Sequence, residues 1–283
     1  MTASDAPIVV PLDGSKIAEN AVPFAAYLAK LYDDCSVHFL HVADPDVVKT
    51  TDDLTRAQET FASYALQLSE THHVRNPVIH VAEGGPAEAI LRYKWEHAAR
   101  YVVMATHGRG GFQSLFIGSV TDKVTRSSRL PVIAVPGVEE PPVPGKGPVL
   151  VALDGSPEAE QALEVGRDLA ARMNVDLYLV RAYSVPPPIG VEFSYYSPDV
   201  LDSFKQAATE YLDSIAREGE HKIVVQAAPA VAVEEAANRH DSGLIALASS
   251  GKGLAKRLAL GSTTSRVMHS VHRPILVVPP EDR

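Results

Sequence analysis

Along this chain, short apolar runs alternate with longer segments in which apolar residues recur three and four positions apart. The first kind predicts strands covered on both faces, the second amphipathic helices. IVVPL from Ile8 is such a run, ending at Asp13, and from Ala18 to Tyr32 the positions Val22, Phe24, Ala25, Leu28 and Leu31 fall at helical spacing. SVHFLHV predicts a second strand, followed by a helix from about Asp52 to His72 with Leu54, Ala57, Phe61, Ala65 and Leu68 along one face. PVIHVAE is a third strand, PAEAILRYKWEHAA a helix with Pro86 suited to its first turn, and YVVMAT a fourth strand. GSVTDKVTRSS predicts a short helix and PVIAVP a fifth strand. The expected fold is α/β, a doubly wound, mostly parallel five-stranded sheet with helices on both faces.

The pattern then starts again. IVVPLDGSKIAENAV from Ile8 returns as VLVALDGSPEAEQAL from Val149, with Asp13 and Asp154 each followed by Gly-Ser. MATHGRGGFQSLFIGSVTDKV from Met104 returns as LASSGKGLAKRLALGSTTSRV from Leu247, and RLPVIAVP from Arg129 as RPILVVPP from Arg273. Such matches, in the same order at nearly the same separation, mark a tandem duplication. GVEEPPVPGKGP, from Gly137 to Pro148, suits an extended linker, so two Rossmann-like domains are expected, at 1–137 and 148–283. The last strand of each half, Pro131–Val135 and Pro274–Val278, is apolar and a candidate sheet edge, hazardous unless paired. Homodimerisation of the whole chain stays open.

Composition narrows the function. Asp and Glu outnumber Lys and Arg by 35 to 26, a net charge of −9 that offers no general grip on nucleic acid or an anionic membrane. The single cysteine, Cys35, excludes an internal disulfide framework and any multi-cysteine metal site; with no predictable base beside it, it is expected to be an inert thiol. No leader pattern opens MTASDAPIVVPLDGS and no apolar run is long enough to span a bilayer, so a cytoplasmic protein is expected.

The chemistry concentrates at strand ends. Open parallel sheets bind ligands beyond the carboxyl ends of their strands, where strand order reverses. Asp13 follows the first strand and Ala105–Gly108 the fourth; neighbouring strands would bring carboxylate and glycine loop face to face. Nine residues separate Gly108 from Gly118, which leads into Ser119 at a helix start. Backbone N–H groups there, with the hydroxyls of Ser119 and Thr121 as added donors, suit a phosphate. Taken alone, Asp13-Gly14-Ser15 reads first as a turn and helix cap, and it is the repetition of the whole constellation that points to a ligand.

Ala105-x-x-Gly108, nine residues, then Gly118-Ser119, together with Asp13-Gly14-Ser15 and GGPAEAIL at Gly84, resembles the nucleotide-binding pattern of the universal stress protein family, twice over and across nearly the whole chain. The resemblance implies an adenine nucleotide, ATP with or without Mg²⁺, its ribose near Asp13 and its adenine by Val42 and Met104. The phosphates would rest on Gly108, Gly118, Ser119, Val120 and Thr121, with Arg109 either neutralising them or solvated. Carried to the second half, the pattern nominates Asp154, Ala182, Leu247, Gly251, Gly261, Ser262 and Thr263. Both halves depart from it once, with Ala105 and Ala248 where the family has its first glycine. By analogy with the dimers of this family, the edge strands Pro131–Val135 and Pro274–Val278 are expected to pair across a pseudo-two-fold axis, making a pseudo-dimer within one chain.

Catalytic signatures are missing from the sequence. Gly251-Lys252-Gly253 is not followed by the Ser or Thr of a Walker loop, no His-x-Gly-His or Ser-Gly-Gly start occurs, and no dinucleotide fingerprint follows the first strand. His107 has no positioned partner, and His72 and His73 suit a solvated helix end. The expectation is an ATP-binding stress sensor that associates with an unknown protein partner, against a nucleotide-free scaffold or a slow ATPase as alternatives.

Overall fold

The computed structural model describes residues 6–106, 117–184, 198–249 and 260–280. The first half contains β1 (Ile8–Pro11), α1 (Lys16–Glu19), α2 (Ala21–Leu31), β2 (Val37–Ala43), α3 (Thr51–Thr71), β3 (Pro77–Glu83), α4 (Pro86–Glu96), β4 (Tyr101–Ala105), α5 (Ser119–Ser127) and β5 (Val132–Val135). The second contains β6 (Val149–Leu153), α6 (Pro157–Met173), β7 (Leu177–Tyr183), α7 (Pro198–Ile215), β8 (His221–Gln226), α8 (Pro229–Arg239), β9 (Leu244–Ala248), α9 (Ser262–Ser270) and β10 (Ile275–Val278).

The strands order as β3-β2-β1-β4-β5-β10-β9-β6-β7-β8 in one ten-stranded sheet. Pairing is parallel within each half and antiparallel only where β5 meets β10, with Ile133 opposite Leu276. The two five-stranded sheets of the sequence expectation are therefore one sheet, joined by the terminal strands that were expected to pair. Each apolar edge is covered by its repeat, which removes the hazard of an open edge strand.

One face of the sheet carries a core shared by both halves, with Phe24, Leu28 and Phe39 in the same cluster as Leu163, Leu169 and Leu212. The other face splits into a first-half cluster around Ile90, Tyr93 and Met104 and a second-half cluster around Val233, Leu247 and Val267. Ile117 packs against the second-half cluster, which also holds Ala134 of β5 and Leu260, so the segments entering α5 and α9 converge on one apolar seam.

The helix expected from Ala18 to Tyr32 is interrupted at Asn20, between α1 and α2. Pro23 explains the break: it has no N–H to give to the carbonyl of Glu19. The freed Asn20 side chain donates to the carbonyls of Pro136 (3.2 Å) and Val138 (2.8 Å), fixing the start of the linker. At its far end Gly147 has φ +79° and lies so close to Asp241 that any side chain would overlap that backbone, which requires glycine. Between the halves, the buried Tyr32 donates to Asp168 (2.7 Å), its ring lying under the guanidinium groups of Arg100 and Arg172 at 4.2 and 4.3 Å. No helix among the described residues is long and apolar enough to cross a membrane.

Candidate functional site

In each half the strand order reverses at the central strand, between β1 and β4 and between β6 and β9, opening a crevice beyond their carboxyl ends. Asp13 and Asp154 stand there, one in each half. Their Oδ1 atoms accept from the backbone N–H of Ser15 (3.0 Å) and Ser156 (2.9 Å) and from the same serines' hydroxyls (2.7 and 2.5 Å). Each serine in turn accepts from a helix N–H, Ala18 or Ala159, at 3.2 Å. The turn-and-cap role weighed from the sequence is thus present in both halves, with Gly14 (φ +83°) and Gly155 (φ +75°) supplying the left-handed step. It also fixes the aspartates in place at the crevice floor.

Across the crevice, Thr106 accepts from the N–H of Gly118 and Ser249 from that of Gly261, both at 2.7 Å, tying each helix start to the strand before it. Gly118 and Gly261 cap α5 and α9, leaving Ser119 and Ser262 exposed at the first helical positions. Thr121 departs from expectation. Its buried hydroxyl donates to the carbonyl of Ala105 (2.8 Å), so it anchors the helix to β4 rather than offering a donor to phosphate. The repeat of this bond is Thr264 to Ala248 (2.7 Å), which makes Thr264 the counterpart of Thr121 and sets Thr263 opposite Val120. Gly108, Arg109 and Gly251, with His107 and Lys252, lie outside the described residues.

The second-half crevice encloses a cavity of about 680 Å³, a size suited to a nucleotide. Asp154, Ala182, Leu247, Ala248, Gly261, Ser262 and Thr263, all nominated from the sequence, line it. Sequence reasoning missed Val233 and Leu260, which add apolar wall. In the first half Met104 is buried in the cluster against which Val42 and Val120 pack, so these three nominees border one apolar region next to Ala105.

Arg181 lines the cavity, its Nη1 donating to the carbonyl of Leu153 (3.2 Å) and its Cζ lying 5.1 Å from the Tyr211 ring centroid. Its Nε is buried and meets no acceptor among the described residues. The first half repeats the arrangement with an imidazole: His41 Nδ1 lies 2.9 Å from the carbonyl of Leu12, its ring stacked on Phe61. Tyr211 donates to Glu160 and Tyr64 to Glu19 in the same positions of the two halves. Burial first, and the Glu160 carboxylate second, push the Tyr211 hydroxyl up to about 12, so it stays a donor. Among the described residues no group of three His, Cys, Asp or Glu side chains is placed to hold a metal ion.

The doubled fold has counterparts in known proteins. The model of the universal stress protein family matches residues 6–136 and again 147–279. The chain belongs to the universal stress protein family. A universal stress protein of Mycolicibacterium smegmatis is 26% identical over 296 residues, covering 99% of both chains, and one of Mycobacterium tuberculosis 25% identical, covering 95% of both. Among solved structures, a universal stress protein from Archaeoglobus fulgidus superposes with a TM-score of 0.71 at 20% identity, covering 98% of this chain and 99% of its own. The tandem arrangement of two universal stress units is thus shared over the full length.

Proposed function

We propose that this universal stress protein binds adenine nucleotide, ATP foremost, and that occupancy controls its association with a partner protein. The observation that carries the proposal is the cavity at the second switch point, whose lining coincides with the motif residues Asp154, Ala182, Leu247, Gly261, Ser262 and Thr263. Its α9 end offers the helix-start N–H groups and the hydroxyls of Ser262 and Thr263 for phosphate, and its β7 end apolar surface for a base. The same parts recur in the first half, with Asp13 for the ribose diol, Val42 and Met104 for adenine and the Gly118–Ser119 helix start for phosphate. Any Mg²⁺ would arrive on the phosphates. The binding units correspond to 1–137 and 148–283.

Protein purified without added nucleotide is denatured and the released small molecules are separated; adenine nucleotide in the released fraction, with calorimetric ATP binding by the stripped protein, is the expected result. Absence of both would make the chain a nucleotide-free scaffold. Phosphate release at a steady rate would instead mark a slow ATPase.

A further inference from the structure

We propose that His38, His80 and His97, gathered around Tyr93, form an acid-sensitive latch that holds α4 on the first-half end of the sheet at neutral pH and releases it as pH falls. His38 comes from β2, His80 from the edge strand β3, and Tyr93 and the C-cap residue His97 from α4. The His97 ring stacks on Tyr93 with centroids 4.0 Å apart, and His80 lies 4.8 Å from the same ring. His38 meets Tyr93 at 5.8 Å and His97 at 5.5 Å, edge-on to both. It is buried and both its nitrogens have partners inside the protein, Nδ1 the Tyr93 hydroxyl (3.0 Å) and Nε2 the Ser36 hydroxyl (3.1 Å). His97 Nδ1 donates to the Tyr93 carbonyl (2.8 Å). Three imidazoles packed on one ring suit the neutral state and would repel one another as cations.

The surrounding charges do little to offset this. Glu96 is the carboxylate that acts on His80. Elsewhere on these elements Lys94 donates to Ser128 and Leu130, Glu88 pairs with Lys123, Arg92 donates to the carbonyl of Glu83 at the far end of β3, and His41 stacks on Phe61. Burial first, then His97 and His80, push the His38 imidazole down to about 4, and burial and His97 lower His80 too. Opening α4 restores an ordinary imidazole near 6.5, so the open form binds the extra proton between about pH 6.5 and 4, and the closed form loses stability as pH falls through that window. For His38 alone this raises the opening constant about 30-fold from pH 7.5 to 5. Since α4 supplies Ile90 and Tyr93 to the first-half cluster, its release uncovers Val9, Leu40 and Met104, turning acid into an exposed apolar surface. The second half lacks the latch: Tyr178 stands in the place of His38, Ala236 in that of Tyr93 and Ile223 in that of His80. His221 and His240 flank Tyr178 at 4.5 and 4.4 Å, but Asp176 lies 3.9 Å from His221, where it can meet a charge on that ring.

The test is amide hydrogen exchange of the full chain at pH 7.5 and 5, corrected for intrinsic exchange rates. Protection of the α4 amides is expected to fall about 30-fold between the two, and that of the α8 amides less than about threefold. His38→Gln keeps a hydrogen-bonding side chain that does not titrate, and is expected to shrink the α4 fall to about threefold or less. Reading the ratio between two pH values cancels any general loss of stability in the variant, and Lys94, present in both proteins, cancels with it. His97→Gln alters only the half-buried helix cap and keeps the proposal testable if His38→Gln does not fold. In histidine NMR titrations of that variant the His38 midpoint is expected to rise from about 4, because a neighbouring charge has gone. Protection of α4 that ignores pH, an equal fall in α4 and α8, an undiminished fall in His38→Gln, or an unmoved His38 midpoint in His97→Gln overturns the latch.

Discussion

The hydroxyl of Thr121 donates to the carbonyl of Ala105 at 2.8 Å, and Thr264 repeats the bond to Ala248 at 2.7 Å. In each half this bond fastens the helix that begins at the proposed phosphate site to the central strand beneath it. Thr121→Val keeps the shape and deletes the donor. It is expected to lower stability by about 1–3 kcal/mol, the cost of leaving a buried partner unsatisfied, and to weaken ATP binding by loosening α5. Thr121→Ser is expected to retain both, and thermal melts with ATP titrations of the two variants measure the difference.

Gly118 caps α5 at φ −55°, a conformation open to any residue, so a side chain there does not strain the backbone. Gly118→Glu places a carboxylate and its bulk where phosphate is proposed. Loss of ATP binding at the first site by tenfold or more, with a melting curve close to that of the parent, is the expected outcome. Retained affinity would move the phosphate elsewhere.

Much of this architecture was legible in the chain. The unalternating runs of β1, β4 and β5 are buried throughout or nearly so because the strands are covered on both faces, and period alone reports that. The apolar edges β5 and β10 were legible too, and the family resemblance paired them with each other. What stayed hidden are side-chain directions. Thr121 and Ser119 are alike as hydroxyl residues two positions apart, yet helical geometry turns one into the core and the other to solvent. Arg181 could not be aimed, since the Leu153 carbonyl and the Tyr211 ring that hold it come from positions 28 residues before and 30 after. Pro23, by contrast, was in plain sight, and helical periodicity across it overrode its breaking signal.

The two sites are expected to differ for ATP, with the first tighter. Val42 gives way to Ala182, and the methyl groups lost correspond to roughly 1 kcal/mol, about a fivefold change in affinity. Because Oδ1 of Asp13 and of Asp154 also holds its turn, alanine would disturb the fold there; Asp13→Asn and Asp154→Asn keep an acceptor and remove the charge. Calorimetry is expected to show the tighter event lost in Asp13→Asn. Its loss in Asp154→Asn instead would reverse the ranking.

Cleaving the linker between Gly137 and Pro148 is expected to leave two fragments that co-elute under native conditions. The β5–β10 ladder, the shared core and the Tyr32–Asp168 bond all cross the boundary without the linker's help. Clean separation on a sizing column would show that the covalent connection is needed to hold them.

Lys94 is buried, its ammonium donating to the Ser128 hydroxyl and to the carbonyl of Leu130 (3.0 Å), and burial pushes it down to about 7. The unfolded chain, with a lysine near 10.4, binds the extra proton between these values, so this residue's contribution is fully present above about 10.4, is lost progressively as pH falls from there to about 7, and changes no further below. Lys94→Met removes the buried ammonium. It is expected to stabilise the protein relative to the parent at pH 7, with an advantage that shrinks by roughly 2 kcal/mol by pH 9 in denaturant titrations. A difference independent of pH would mean that Lys94 keeps an ordinary pKa.

The antiparallel seam between β5 and β10 has an evolutionary corollary. When two separate copies of a single-unit chain meet through such strands, both pockets come from one gene, and any change in one is made in the other. Here the partner is covalently guaranteed, so encounter no longer depends on cellular abundance and the stoichiometry is fixed at one to one. Mutation can then reshape either pocket alone, and the histidine at position 41 where the other half has arginine 181 is the kind of divergence that such an obligate, unlike pair permits.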